Sequence, residues 1–389
     1  MSARGRQLAT LLAALACACS SAPPGAVTKC QTSAVVPEVP RTDILFVVDD
    51  SGSMRAEQTL LAGGFKQFID RLASLPVKGS FQIGITTTSV DYPYTDASGV
   101  YHLQTTYLGD PARPYPQGKL VGPAATRILS ASSATLVQDF QANVNVGVDG
   151  SGKEQGLRAA LLAVTDRVAD GANAGFLRPG ARLAVILVSD EDDCSDPATP
   201  PAIIYSSGGS DRCHTDADQA LLPPVATYLD AFRQPLAGEK RDLIVAELVG
   251  VDASGQPVKT LACNAAGYGG YRYTAFAQGV KTGGGQALVA DVCQGDFTST
   301  LDAIAGLLAT QTVPLSEAPT DWRLLAVSVT RAAGGTAACT VGLEGDPSAS
   351  GKDVVYTPPL EGRPAALTFG GNCTLGQGDD VHVELLCAG

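Results

Sequence analysis

Five short apolar runs most constrain how this chain can fold: Ile44–Val48, Phe81–Thr87, Leu183–Val188, Leu243–Val249 and Ala287–Val292. Each has the length of a buried strand, and stretches with helical spacing separate them. Leu61, Phe65, Phe68, Ile69 and Leu72 form one apolar face, and Leu157, Leu161, Val164 and Val168 form another. Val225, Leu229 and Phe232 make a third, and Leu301, Ile304 and Leu308 a fourth. Apolar strands alternating with amphipathic helices predict an α/β fold, with a doubly wound, mostly parallel sheet covered on both faces. Three polar or Gly/Pro-rich stretches, residues 91–125, 191–222 and 251–285, interrupt the pattern and are expected to be long connections.

After Pro314 the pattern changes. Trp322–Thr330, Ala338–Leu343, Val354–Thr357, Ala366–Phe369 and Val381–Leu386 are short extended runs separated by Gly, Pro and Asp turns. They predict a small antiparallel β module, arranged as a sandwich. The expected organisation is therefore an α/β domain over residues 41–312 and an all-β module over 313–389.

The amino terminus reads as an export signal. Arg4 and Arg6 precede the apolar run Leu8–Ala16, which is too short to span a bilayer. Small residues around Cys17 and Cys19 resemble a bacterial lipobox, so residues 1–18 are expected to be removed and Cys19 (or Cys17) lipidated. Residues 19–40, rich in Pro, Ser, Ala and Val, then form a flexible tether. The expected location is the cell envelope, with the membrane reached through the lipid anchor only; a plain secretory signal is the alternative.

Outside the cytoplasm cysteines tend to pair. With Cys19 lipidated, eight remain: Cys30, Cys194, Cys213, Cys263, Cys293, Cys339, Cys373 and Cys387. Cys194–Cys213 and Cys263–Cys293 each bracket a rim loop, of 18 and 29 intervening residues, and are expected to be disulfides. The other four are left to the β module and the tether. Without residues 1–18 the formal charge goes from −12 to −14, which argues against a nucleic-acid partner.

Chemistry concentrates where the first strand ends. Asp49, Ser51 and Ser53 stand on a turn directly after Ile44–Val48, an all-oxygen set of the kind hard divalent cations take. A parallel sheet brings the carboxyl ends of its strands to one edge, so Asp190, which follows Leu183–Val188, can converge on Asp49. Gly147-x-x-x-x-Gly152-Lys153 nearly spells a phosphate loop, but Glu154 stands where Ser or Thr would bind Mg²⁺. His102, His214 and His382 lie in no recognisable nucleophile context.

Asp49-x-Ser51-x-Ser53, with Asp190 behind a second strand, resembles the metal-ion-dependent adhesion site of von Willebrand factor A domains. The resemblance implies that Ser51 and Ser53 touch the metal directly while Asp49 and Asp190 act through water. Ser151 stands where that family has a threonine ligand. It also begins a Ser-x-x-Glu capping box with Glu154, and the two roles stay open. The resemblance further implies a divalent cation, Mg²⁺ first with Ca²⁺ or Mn²⁺ as alternatives. Its open position would capture a carboxylate on a protein, matrix or envelope ligand. That makes the chain a cell-envelope adhesion protein and not an enzyme. A metal-dependent envelope hydrolase and an assembly protein with a purely structural metal are the competing expectations.

Overall fold

The computed structural model describes residues 28–29, 41–73, 80–206, 212–263, 267–283, 285–308, 312–359, 364–375 and 379–387. The expected leader, Cys17, Cys19 and Cys30 lie outside the described residues, as does the tether apart from Thr28–Lys29.

In chain order, β1 (Thr28–Lys29) is followed by β2 (Arg41–Val48), α1 (Arg55–Ala73), β3 (Ser80–Thr87), β4 (Tyr92–Thr95) and β5 (Tyr101–Gln104). Next come β6 (Ile128–Ser130), α2 (Leu136–Val144), α3 (Gly156–Val164), α4 (Asp166–Ala169), β7 (Arg182–Val188) and β8 (Tyr205–Ser206). Helices α5 (Asp216–Gln219) and α6 (Val225–Arg233) lead to β9 (Leu243–Val249), α7 (Tyr271–Thr282), β10 (Gln286–Asp291) and α8 (Thr298–Leu308). The rest is strand with short 3₁₀ turns: β11 (Thr312–Pro314), β12 (Leu325–Thr330), β13 (Thr336–Cys339), β14 (Val341–Leu343), β15 (Val354–Thr357), β16 (Ala366–Phe369) and β17 (Asp380–Cys387).

The chain is mixed α/β. Its largest sheet among the described residues has the order β10-β9-β7-β2-β3-β6. All neighbours are parallel except β6, which closes one edge antiparallel to β3. β2 lies inside this sheet, paired with β3 on one side and β7 on the other. Its alternate side chains enter different cores, as a pleated strand requires. Ile44, Phe46 and Val48 pack with Phe65 and Phe68 of α1, Phe140 of α2 and Leu301 and Ile304 of α8. Leu45 and Val47 pack with Leu157 of α3, Phe232 of α6 and Phe276 of α7.

Helix α7 departs from the expectation that residues 251–285 are one long connection. Tyr273, Phe276, Ala277 and Val280 are buried at helical spacing, but Gly279 among them and the glycines on either side read as loop. Gly279 is there for close approach, since a Cβ at that position would collide with Leu229 of α6. The first connection likewise contains the β4–β5 hairpin, to which β8 of the second adds a parallel strand.

The carboxyl-terminal strands form two four-stranded sheets, β1-β17-β12-β13 and β11-β16-β15-β14. Val327 and Val329 from one sheet and Val354, Tyr356, Leu367 and Phe369 from the other share a single apolar cluster. The expected antiparallel pairing holds except between β14 and β15, which run parallel. Cys194–Cys213 and Cys263–Cys293 pair as expected, and Cys339 pairs with Cys373. Their Cα separations of 5.6, 5.2 and 5.9 Å suit disulfides.

Phe140 should be the most sensitive point of the α1 face. Its ring stacks on Phe65 with centroids 3.3 Å apart and meets the edge of Phe46 at 5.1 Å. Phe140→Ala is expected to cost about 3–5 kcal/mol in urea unfolding; a loss below about 1 kcal/mol would show that this core is not packed as described. Non-reducing peptide mapping is expected to recover the three cysteine pairs, and free thiol at Cys194 or Cys213 would contradict the first.

Candidate metal centre

Parallel pairing places β2 and β7 in register with Val48 opposite Val188, so both strands end at one edge and each is followed by polar residues. Asp49 continues the pairing for one more step, donating its backbone N–H to the Val188 carbonyl at 2.9 Å. The turn that follows is tied by its own acid: the Ser51 amide donates to Asp49 Oδ1 at 2.8 Å. From the other strand, Ser189 Oγ donates to Asp49 Oδ2 at 2.6 Å. The hydroxyls of Ser51 and Ser53 lie 3.2 Å apart, and Ser53 Oγ donates to Asp190 Oδ1 at 3.0 Å. Asp49, Ser51, Ser53 and Asp190 are thus one connected group. Asp49 and Asp190 are fully buried, and Ser53 opens to solvent.

Ser151 stands apart. Its amide donates to Ser89 Oγ at 2.7 Å, while its hydroxyl donates to the Asp91 carbonyl at 3.1 Å and accepts the Lys153 amide at 3.1 Å. None of these partners belongs to the four-residue group. The capping box also does not form: α3 begins at Gly156 after Gln155, and its first amides are taken by another loop, Leu157 N–H donating to Asp193 Oδ1 at 3.0 Å and Arg158 N–H to Ser195 Oγ at 2.8 Å. The Ser151 hydroxyl is spent on Asp91 and Lys153, and its loop is drawn down onto Asp50. Gly150 donates its amide to the Asp50 carbonyl at 2.7 Å, and a Cβ at Gly150 would collide with Asp50.

Several residues of this edge were not singled out in the sequence. Asp50 is buried and accepts from Ser89 Oγ and the Tyr107 hydroxyl, both at 2.7 Å. Gln58 of α1 donates to the Asp49 carbonyl at 2.9 Å and the Gly147 carbonyl at 2.8 Å, joining the first two loops. Glu57, in the first turn of α1, has a buried Oε2 with no hydrogen-bond partner among the described residues. Only Gln58 and Glu57 carried a signal, as polar residues on the buried side of an amphipathic helix start.

Burial and crowding raise the acids of this edge. Burial, reinforced by the charge of Asp190, pushes the Asp49 carboxyl up to about 7, against the pull of its Ser189 and Ser51 hydrogen bonds. Burial raises Glu57 too, and Asp190 adds to it. Asp192 is pushed up to about 7 and Asp50 to about 6, chiefly by burial. The nearby Arg272 is turned onto Asp193 at 3.1 Å. Crowded buried carboxyls with an orphaned Glu57 oxygen fit a divalent ion that would offset their charge. Among the described residues no three His, Cys, Asp or Glu side chains gather as a metal cluster; the donor set here is two carboxylates and two hydroxyls.

Such raised carboxyls let the folded state bind protons that the unfolded chain has lost, so stability falls as pH rises. With EDTA present, the melting temperature is expected to fall as pH rises from about 4 to about 7 and then to level off. Mg²⁺ should raise it most at the upper end, where the carboxylates are charged. A flat profile that Mg²⁺ does not move would contradict this electrostatic picture. No protein-family model matches the sequence, and neither does any curated protein.

Proposed function

We propose that residues 41–312 form a doubly wound domain of the von Willebrand factor A type, followed by a small β module over 313–389. In this reading Asp49, Ser51, Ser53 and Asp190 hold one divalent cation, Mg²⁺ in the first instance, at an adhesion site. The observation that carries it is the hydrogen-bonded chain Ser51–Ser53–Asp190 beside Asp49, drawn from the ends of two neighbouring parallel strands. Carboxyl ends of strands are where open α/β sheets bind ligands.

Bound there, a divalent ion would supply one open Lewis-acid position for a ligand carboxylate. Ser51 and Ser53 are neutral donors, so they leave charge on the ion for an incoming acid. Asp49 and Asp190 orient those hydroxyls and hold water. Ser189 and Gln58 hold Asp49 and its loop in place. Ser151 is not part of the ligand set.

A protein ligand is supported by the surface beside the site. Val100, Tyr101, Leu103 and Leu108 are large apolar residues left exposed in the connection that also supplies Tyr107 to Asp50. Large apolar side chains left in solvent are surface that a protein partner can cover. Leu108 sits at φ 50°, a left-handed conformation that costs a residue with a Cβ about 1–2 kcal/mol. Export as an envelope lipoprotein anchored at Cys19 belongs to the same reading. It is supported by three cysteine pairs, which suit an oxidising compartment. Among the described residues no helix is long and apolar enough to cross a membrane.

Pull-down from an envelope extract tests the proposal. Capture of a partner is expected with Mg²⁺ and not with EDTA. Asp49→Ala and Asp190→Ala should each lose that capture while the fold persists, because both sit at the sheet edge. Ser151→Ala should retain it. Capture that survives EDTA and both aspartate variants would refute the metal-site reading, and loss of capture in Ser151→Ala would restore Ser151 to the ligand set.

A further inference from the structure

The opposite end of the sheet holds a second candidate site. A cleft of about 700 Å³ opens between the amino ends of the large sheet and the β11–β16 sheet. β2 runs from this cleft, at Arg41, to the metal edge beyond Val48, about 25 Å away at the rise of a strand.

Its charge is unlike the rest of the chain. Arg41, Arg182, Arg233, Lys240 and Arg241 line it, against Asp242 and Glu344. This excess of cations occurs in a protein whose net charge is −12. Some of the cations are committed. Arg241 donates to the carbonyls of Arg178 and Ala181 at 2.7 and 2.9 Å, and Arg233 reaches the Gly279 carbonyl at 3.2 Å. Others are not. Lys240 is exposed and makes no ion pair among the described residues. The Nε of Arg182 is buried with no hydrogen-bond partner among them, although that guanidinium also donates to Thr42 Oγ1 and the Leu308 carbonyl.

An orphaned guanidinium N–H is costly to leave unmade, and a bound acceptor would satisfy it. The facing wall comes from the β sheet and carries hydroxyls: Thr312 and Thr368, with Oγ1 atoms 2.9 Å apart, and Thr357. Gln286 adds an amide. Cations and the Gln286 amide on the large-sheet wall, with hydroxyls on the other, match an acidic sugar, with its carboxylates and many hydroxyls. The volume lies within the range of ordinary ligand pockets.

We propose that this cleft binds an acidic oligosaccharide, with Lys240 and Arg182 reading its carboxylates and Thr312, Thr357, Thr368 and Gln286 its hydroxyls. The assignment is independent of the metal-site reading, because the two sites lie at opposite ends of β2.

Calorimetric titration of the whole chain with trigalacturonate tests it, with maltotriose as the neutral control and inorganic phosphate as competitor. Trigalacturonate is expected to bind and maltotriose to bind at least about tenfold more weakly. Lys240→Glu should weaken trigalacturonate about tenfold while the thermal melt stays unchanged. Lys240→Arg should restore it. EDTA and Asp49→Ala should leave binding as in the parent chain. No binding of trigalacturonate, equal binding of maltotriose, or indifference to Lys240→Glu would each overturn the proposal. Full displacement by phosphate near the concentration of the sugar itself would overturn the sugar assignment.

Discussion

Two buried carboxyls brought to one edge of the sheet are the constraint around which this protein is organised. The register of β2 against β7 puts Asp49 and Asp190 on one edge, and both are buried. Like charges in a low-dielectric setting cannot both ionise freely, so the fold must supply protons, hydrogen bonds or a metal. It supplies hydrogen bonds from Ser189, the Ser51 amide and Ser53. Those bonds fix where the two serine hydroxyls point.

The rest of the α/β architecture serves to hold that edge still. Alternate residues of β2 anchor it in two separate cores, one under α1, α2 and α8 and one under α3, α6 and α7. Gln58 reaches back from α1 to bind two loops at once, and the Gly150 contact brings the second loop onto the first. Cys194–Cys213 closes the loop that begins just past Asp190, and the Cys194 amide ties it to the Glu154 carbonyl at 2.6 Å. At the far end of the same strand, Asp43 is buried against Arg178 at 2.6 Å, so that end is neutralised from within. The two ends of β2 thus differ: Asp43 meets a guanidinium, while Asp49 is held by hydrogen bonds from Ser189 and the Ser51 amide.

What could be read from the sequence follows the range of the interactions. β2, β7 and β9 were legible because a buried parallel strand needs an unbroken apolar run, and such runs stand out. Asp49 and Asp190 were legible as acids that end two of them. Helix α7 was obscured because Gly279, which the contact with Leu229 requires, makes a helix look like a loop. Ser151 misled because Ser-x-x-Glu describes a helix start only when the helix follows at once, and here the loop is diverted toward Ser89 and Asp50. Asp50, Ser89 and Tyr107 could not be found at all, since their bonds join segments 39 and 57 residues apart and no local pattern records them.

We propose that the Asp49–Asp190 edge is a cation site made of hydroxyls and acids. Crystals grown with Mn²⁺ and measured at its absorption edge would test it most directly. A cation held there gives one anomalous peak within about 2.0–2.6 Å of the Ser51 and Ser53 hydroxyl oxygens, next to Asp190. Saturating Mn²⁺ with no peak there, or a peak held by other residues, would contradict it.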